Sequence, residues 1–309
     1  MLIGIDIGGT KCAVVQGDEN MNITGKIRME TKGVEETLSA IFEAVERFGP
    51  CDAIGISCGG PLDEEKGIIC SPPNLPGWDD IRITEMLTQR FGVPAYMRND
   101  ANACALAEWR YGAGKGTKNM AFLTFGTGMG SGLILNGALY SGTNGNAGEV
   151  GHIRLAPKGP VGYGKAGSFE GFCSGGGMAQ LGKTLAEKYL KQGGVLPYKT
   201  EDITAKLLAE QARLGDPVAN EVFKISGEKL GAALSVLIDI LNLEAIVIGS
   251  VYARCEDLLK PHAERVIFEE ALLPSRQVCR LLPAALSENI GDIAALTVAA
   301  EGLRNEKLC

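Results

Sequence analysis

Two glycine-rich turns in this sequence have residue types that could bind phosphate groups. Consecutive glycines can present backbone N–H groups to an anion, a hydroxyl can donate, and a lysine can neutralise negative charge. An aspartate at the end of a buried strand, just before such a turn, could hold Mg²⁺ through water. Two such turns could clamp the phosphates of a nucleotide, although an ordinary hairpin turn is the simpler interpretation of each. The two runs are Asp6-Ile7-Gly8-Gly9-Thr10-Lys11 and Gly126-Thr127-Gly128.

Several polar side chains lie where a strand ends or where glycines surround them. Asn99 and Asp100 stand between a predicted strand and a predicted helix, where a carboxylate either caps the helix or acts as a general base. Glu149 and His152 are three residues apart in a glycine-rich segment, and Glu170 also flanks a glycine. Such positions suit side chains that reach into a polar pocket, and a metal site is the rival interpretation for His152.

Two further glycine patterns match well-known nucleotide motifs, yet their context argues against nucleotide binding. Gly177–Thr184 fits the P-loop formula, but no strand precedes it and its interior residues favour a helix. Gly162–Gly167 fits the dinucleotide fingerprint, but it follows the proline-containing run Pro157–Pro160 instead of a strand. We therefore expect Gly177–Thr184 to lie in an amphipathic helix and Lys183 to have no role in catalysis.

Strands alternate with helices along the chain, which predicts an α/β fold. A strand, a glycine turn and a second strand open the sequence and recur from Met120, which indicates a weak internal duplication. Helices are predicted near 34–48, 82–91, 177–191, 201–213, 217–243 and 290–303, and further strands near 53–57, 94–98 and 245–249. The glycine-rich run 112–116 predicts a boundary between an N-terminal domain, 1–115, and a C-terminal domain, 116–309.

Composition excludes several classes of protein. The chain has 309 residues, 45% of them hydrophobic, so it can bury a large core, and its net charge of −7 argues against a general nucleic-acid binder. No apolar run reaches the roughly 20 residues that span a membrane. The nine cysteines include no Cys-x-x-Cys pair, and the N-terminus has no basic stretch or cleavage signal, so we expect a cytoplasmic protein with reduced thiols.

An ordered set of motifs resembles the ROK (repressor, open reading frame, kinase) family of sugar kinases, within the actin, heat-shock ATPase and hexokinase superfamily. Each motif is short, but their order along the chain is specific. They are Asp6-Ile7-Gly8-Gly9-Thr10-Lys11, Asn74-Leu75-Pro76-Gly77-Trp78, Asn99-Asp100-Ala101-Asn102-Ala103, Gly126-Thr127-Gly128-Met129-Gly130, Ala147-Gly148-Glu149-Val150-Gly151-His152, and Glu170 shortly before Ser174-Gly175.

This resemblance implies an actin-like ATPase (ribonuclease H-like) fold whose duplicated halves surround a central cleft, with the helix at 290–303 packed back on the N-terminal domain. Asp100 would take the proton from a sugar hydroxyl, typically the one on C6, as it attacks the γ-phosphate of ATP. The sugar would be held by Gly60, Asn74, Asn99, Glu149, His152 and Glu170. The phosphates and nucleoside would be held by Gly8, Gly9, Thr10, Lys11, Thr127, Gly128, Gly175, Gly176 and Gly249, and Asp6 would hold Mg²⁺.

The resemblance also implies a sugar class and an assembly state. Glucose is the favoured acceptor, with N-acetylglucosamine, N-acetylmannosamine, fructose and allose as alternatives, and a homo-oligomer, dimer or tetramer, is expected. The competing function is a catalytically silent, sugar-binding regulator. Regulatory members of the family carry a helix-turn-helix ahead of the first hairpin, for which the position of Asp6 is expected to leave no room. No nucleic-acid or membrane partner is expected.

One family feature is missing from this sequence. Many members bind a structural zinc ion with the histidine and three cysteines of a following loop. Here Val161, Tyr163 and Ser168 stand at the cysteine positions, and none of them can supply a thiolate. We therefore predict a member without zinc, in which Tyr163 or Phe169 takes over the packing role of the metal.

Overall fold

The computed structural model describes residues 1–306, in which fourteen strands and eleven α-helices form an α/β structure. The strands are β1 (Leu2–Ile7), β2 (Lys11–Gly17), β3 (Ile23–Glu30), β4 (Ala53–Cys58), β5 (Leu62–Asp63), β6 (Ile68–Ile69), β7 (Ala95–Asn99), β8 (Met120–Leu123), β9 (Ser131–Leu135), β10 (Ala138–Tyr140), β11 (Val161–Gly162), β12 (Lys165–Ala166), β13 (Ala245–Ile248) and β14 (Arg280–Pro283). The helices are α1 (Val34–Phe48), α2 (Ile83–Phe91), α3 (Asp100–Tyr111), α4 (Phe169–Phe172), α5 (Gly175–Lys191), α6 (Ala205–Arg213), α7 (Pro217–Leu241), α8 (Ser250–Arg254), α9 (Glu256–Glu270), α10 (Leu273–Val278) and α11 (Ile290–Glu306).

The two large sheets have the same strand order. The first runs β3-β2-β1-β4-β7 and the second β10-β9-β8-β13-β14. In each, the hairpin partner of the central strand is antiparallel (β2 with β1, β9 with β8) and the next strand on the other side is parallel (β4 with β1, β13 with β8). The duplication predicted from the two glycine hairpins is therefore a duplication of whole sheets.

Contacts divide the described chain into two compact units. The first consists of Met1–Gly112, Leu139–Ala147 and the chain from Glu288 onward, and the second of Ala113–Ala138 and Gly148–Ser287. The first unit contains the first sheet, and the second unit contains the other sheet except for most of its edge strand β10. Helix α11 belongs to the first unit although it lies at the far end of the sequence.

The first unit has its core on both faces of its sheet. On one face, Ile3 and Ile5 of β1 pack with Ile56 of β4 and with Leu38 and Ile41 of α1. The helical prediction for 34–48 is confirmed, and Gly49, with φ of +78°, follows the helix in a conformation that favours glycine.

On the opposite face, α11 lies directly against β1 and β4. Leu296 and Ala299 of this helix pack against Leu2 and Ala53. A Cβ atom on Gly55 would lie 2.2 Å from the carbonyl oxygen of Ala295, so only glycine allows so close a contact between strand and helix.

The core of the second unit is built around the long helix α7. Asp216 caps its start by accepting from the backbone N–H of Ala219, and Pro217 occupies the first turn. Its buried residues, Leu230 and Leu234 among them, share a core with Ile246 and Ile248 of β13. Within residues 1–306, no helix has both the length and the apolar character that crossing a membrane requires.

Candidate active site

Asp100 lies at the junction of β7 and α3, as the sequence predicts. The backbone N–H of Ala101 donates to Asn99 Oδ1 at 3.0 Å and to Asp100 Oδ1 at 2.7 Å, so both side chains cap the start of the helix. Desolvation raises the pKa of Asp100, and the N–H of Ala101 opposes this effect. Because the residue is also exposed to solvent, its carboxylate can cap the helix and still reach a substrate.

The glycines after β4 bring the predicted sugar-binding residues of the first unit together. A Cβ atom on Gly59 would lie 3.8 Å from both Asn74 Nδ2 and Asp100 Oδ2, and one on Gly60 would lie 3.3 Å from Asn99 Nδ2. Gly60, Asn74, Asn99 and Asp100 therefore meet at the end of β4, where the lack of a glycine side chain leaves the polar groups accessible.

The first glycine turn packs against the segment that carries Asn74. The backbone N–H of Gly8 donates to the carbonyl oxygen of Lys11 at 3.2 Å, which closes the turn between β1 and β2. A Cβ atom on Gly9 would lie 2.5 Å from the carbonyl oxygen of Asn74. The turn predicted to bind phosphate and the residue predicted to bind sugar are thus in direct contact.

Asp6 is the next-to-last residue of β1 and lies among other charged groups of the first unit. Burial, and to a lesser extent the carboxylates of Asp100 and Asp292, raise the pKa of Asp6 to about 6, although Lys26 opposes the increase. Lys26 forms an ion pair with Asp292, which is buried in the first turn of α11. Mg²⁺ binds one or two carboxylates together with water and substrate phosphates, and the oxygen donors of Asp6 and Asp100 fit that chemistry.

The second glycine turn is closed by its own hydrogen bonds and by Glu170. The N–H of Gly126 donates to the carbonyl of Gly128 at 2.9 Å, and the N–H of Gly130 donates to Thr124 Oγ1 at 2.9 Å. Glu170 Oε2 accepts from the N–H of Met129 at 2.9 Å, and a Cβ atom on Gly128 would lie 2.8 Å from the same oxygen. Glu170, predicted to bind the sugar, therefore also holds the turn predicted to bind phosphate.

A cavity of about 860 Å³ opens beside this second turn, entirely within the second unit. Of the residues predicted to bind nucleotide, Thr127, Gly175 and Gly176 line it, and the N–H of Gly175 donates to the carbonyl of Gly126 at 2.8 Å. Gly249 does not line the cavity itself but precedes two residues that do. The rest of the wall was not predicted from the sequence, and it includes Ala179, Ala205, Ala209, Arg213, Ser250, Val251 and Arg254.

The segment with Glu149 and His152 packs closely against the second turn. Val150–His152 forms a short 3₁₀ helix, and a Cβ atom on Gly151 would lie 2.4 Å from the carbonyl of Met129. The imidazole of His152 meets the ring of Tyr163 edge-to-face, with 5.2 Å between the ring centres. Lys165 Nζ donates to the carbonyl of His152 at 2.6 Å, which fastens this segment to the β11–β12 hairpin.

Comparison with known proteins decides the family. A sequence model of the ROK family matches residues 2–301. This chain belongs to the ROK family. It is similar to the glucokinase of Thermotoga maritima, with 32% identity over 313 residues, 97% of either chain. The crystal structure of a ROK glucokinase from Streptomyces griseus in complex with glucose and AMPPNP superposes with a TM-score of 0.80 at 31% identity, over 97% of this chain and 99% of that one.

The chain is also similar to a regulator. The transcriptional dual regulator NagC of Escherichia coli is 31% identical over 223 residues, which are 71% of this chain and 53% of NagC. The ROK membership and the structural neighbours confirm the predicted fold class, an α/β fold of the actin-like ATPase type.

The three positions where many ROK proteins carry cysteine have other contacts here. The N–H and carbonyl of Val161 pair with the side-chain amide of Gln180 at 3.0 Å each, and Ser168 caps α4 by accepting from the N–H of Gly171. Tyr163 covers His152 but is 67% exposed, whereas Phe169 is fully buried. Gln180 and Lys165 therefore stabilise this loop through hydrogen bonds. Neither residue was predicted from the sequence to have a role. Across residues 1–306, no group of three or more His, Cys, Asp or Glu side chains is placed to hold a metal.

The P-loop pattern of this ROK protein lies within a helix. Gly177–Thr184 falls inside α5, whose start is capped by Ser174, and Met178 and Leu181 are buried on one face. Lys183 is exposed on the other face. Gly162–Gly167 spans the β11–β12 hairpin, with Gly162 paired to Lys165. The prediction of an amphipathic helix at 177–191 is confirmed.

Proposed function

We propose that this ROK protein is an ATP-dependent hexose kinase that phosphorylates glucose on the 6-hydroxyl, with Asp100 as general base. The observation that carries the proposal is the arrangement in the first unit, where Asp100 shares the end of β4 with Asn74 and Asn99, and Asn74 in turn contacts the glycine turn at Gly9. A carboxylate whose pKa is raised, on a residue exposed to solvent, suits proton abstraction from a hydroxyl.

In this proposal the site residues have distinct tasks. Within the first unit, Gly60, Asn74 and Asn99 are assigned to sugar hydroxyls. Within the second unit, Glu149, His152 and Glu170 are assigned to sugar hydroxyls as well. Asp100 orients the reacting hydroxyl and takes its proton. Mg²⁺ held by Asp6 would supply positive charge to the phosphates. In the first unit the turn Gly8–Lys11 would donate backbone N–H groups to phosphate, and in the second unit the turn Thr127–Gly128 is assigned the same role. Phosphoryl transfer depends mainly on such positioning and charge stabilisation.

The nucleoside is assigned to the cavity of the second unit. Its walls combine backbone at Gly175 and Gly176 with small apolar side chains such as Ala179, Ala205 and Val251, which suit the flat face of a base. The similarity to a glucokinase structure that contains AMPPNP supports ATP as the phosphoryl donor.

The test is a substrate panel with purified protein, ATP and Mg²⁺. Release of ADP is measured with glucose, N-acetylglucosamine, N-acetylmannosamine, fructose and allose, and we expect the highest kcat/KM with glucose. A higher kcat/KM with another of these sugars would support the kinase function but would contradict glucose as the preferred substrate. The similarity to glucokinases over nearly the whole chain supports glucose as the first choice.

A second candidate function is sugar sensing without phosphorylation, which the similarity to NagC favours. Calorimetric binding of the same sugars distinguishes the two functions. Sugar binding without any ADP release would support the sensor and refute the kinase.

We also propose that the protein works as a homo-oligomer in the cytoplasm. The eight cysteines among the described residues are all free thiols, which is consistent with a reducing compartment. Light scattering coupled to size exclusion tests the assembly, and a purely monomeric mass at micromolar concentration would refute it.

A further inference from the structure

A carboxylate that the sequence analysis did not single out holds the strand end that carries Asn99 and Asp100. Glu64 lies in the turn between β5 and β6, and its side chain is 11% exposed. Its Oε1 accepts from the backbone N–H of Asn99 at 2.7 Å and from Asn102 Nδ2 at 3.3 Å. Its Oε2 lies 3.6 Å from Arg98 Nη1. One side chain thus binds residues on both sides of Asp100.

The position of β7 explains why this anchor is needed. Among the described residues, β7 is the last strand of the first sheet, and no further strand binds its outer edge. Backbone polar groups at such an edge need a partner other than a neighbouring strand. Glu64 supplies that partner at the residue where the strand ends and α3 begins.

The contacts around Glu64 are themselves part of the candidate site. Gly60 lies four residues earlier on the same segment, and a Cβ atom there would lie 3.3 Å from Asn99 Nδ2. Asn102 is 2% exposed, and its Oδ1 has no hydrogen-bond partner within the described protein, so the amide of Asn102 depends on Glu64 for the bond it makes. Movement of Glu64 would therefore change the positions of Asn99 and Asn102, and of Asp100 between them.

We propose that Glu64 is a positioning residue that fixes the orientation of Asp100 and Asn99 for the transfer reaction. It does not touch the substrate, and the proposal rests on the kinase function proposed above. Hydrogen bonds to an ionised carboxylate are roughly twice as strong as those between neutral groups, so one such group can fix a backbone N–H, an amide and a guanidinium together.

The experiment compares Glu64→Ala, Glu64→Gln and the neighbouring Glu65→Ala. Glutamine retains an oxygen that can accept from the N–H of Asn99, whereas alanine leaves that N–H and the Asn102 amide without a partner. Glu65 is exposed on the same turn and provides a matched control. We expect Glu64→Ala to lower kcat by about 10- to 100-fold, with the KM for ATP unchanged. We expect Glu64→Gln to recover most of kcat and Glu65→Ala to match the wild type.

Two results would overturn the proposal. One is a kcat for Glu64→Ala within about twofold of the wild type, a change as small as that of an ordinary surface substitution. The other is a loss that glutamine does not relieve and that raises the KM for ATP as much as it lowers kcat, since this would indicate general loss of structure. Thermal unfolding of each variant, followed by circular dichroism, separates a local from a global effect.

The wild type itself separates this proposal from the proposed function. If the wild type phosphorylates none of the sugars, the kinase function is refuted, and the affinity for sugar then decides the role of Glu64. Weaker sugar binding by Glu64→Ala, recovered by Glu64→Gln, would still support positioning of Asn99. A wild type with neither turnover nor sugar binding refutes both proposals.

Discussion

The two large sheets have the same strand order but different chemistry where their strands end. In the first sheet, β1 reaches Asp6 two residues before its glycine turn, and β7 leads into Asn99 and Asp100. In the second, Thr124 stands two residues before the turn, and its hydroxyl accepts from the N–H of Gly130 and closes the turn itself. The first sheet therefore presents carboxylates, and the second presents backbone donors beside a cavity.

This difference shows how one scaffold can be specialised for two tasks. A duplicated hairpin places two glycine turns in equivalent positions, but only the first follows a strand that carries an aspartate, Asp6. In our proposal this aspartate holds a cation and Asp100 takes the proton. Small residues line the cavity beside the other turn, and in our proposal they leave room for the nucleoside.

Asp100→Asn should remove the chemistry of the first sheet and leave its structure intact. Asparagine can still accept from the N–H of Ala101 but cannot take a proton, so we expect kcat to fall by about 10²- to 10⁴-fold. Glucose binding, measured by calorimetry, should change little. Asp202→Asn, at an exposed aspartate of the second unit, is the control and should retain full activity. Near-normal turnover in Asp100→Asn would refute the proposed role of Asp100 as the general base.

Gly9→Ala and Gly126→Ala compare the two turns directly. A Cβ atom on Gly9 would collide with the carbonyl of Asn74 at 2.5 Å, whereas one on Gly126 would have Ser250 Oγ, at 3.8 Å, as its nearest neighbour. Because overpacking forces the backbone to move, we expect Gly9→Ala to lower kcat/KM by about tenfold or more, and Gly126→Ala by clearly less. Steady-state kinetics with glucose and ATP provide the measurement. Equal losses in the two variants would mean that the turns are not distinguished by packing.

Asp6→Asn tests whether the buried carboxylate of Asp6 destabilises the folded protein at high pH. A carboxyl with a raised folded-state pKa stabilises the protein fully below its unfolded value of 3.8, and this contribution is lost as the pH rises through about 6. Asparagine removes the cost of the buried charge, so we expect the Tm at pH 8 to rise by a few degrees and the difference to vanish near pH 4. Calorimetric scans without added metal, with Asp202→Asn as control, provide the comparison. An Asp6→Asn protein that is less stable at pH 8 would contradict this account.

The local features of this structure could be predicted from the sequence. The contacts between residues that are distant along the chain could not. The hairpins, the helix at 177–191 and the junction at Asn99-Asp100 could be predicted because periodicity and turn residues are local signals. The bond from Asn99 to Glu64 spans 35 residues, and the ion pair of Lys26 with Asp292 spans 266. Nothing in the composition around Glu64 or Gln180 distinguishes them from ordinary surface residues, because their role arises only when the strands and loops are assembled.

Lys183→Ala should have the smallest effect on activity. This result would show that a match to the P-loop sequence pattern does not by itself form a phosphate-binding loop. Lys183 has the position of the P-loop lysine in the pattern Gly177–Thr184, yet it lies on the exposed face of α5, in the middle of a continuous helix. A P-loop lysine acts because a flexible loop wraps the phosphates, and a helix cannot do so at its centre. We expect kcat and the KM for ATP to stay within about twofold of the wild type, as for ordinary surface substitutions. A Lys183→Ala protein that folds normally but does not bind ATP would place the phosphates at Lys183 in the middle of α5 and would contradict their assignment to the two glycine turns.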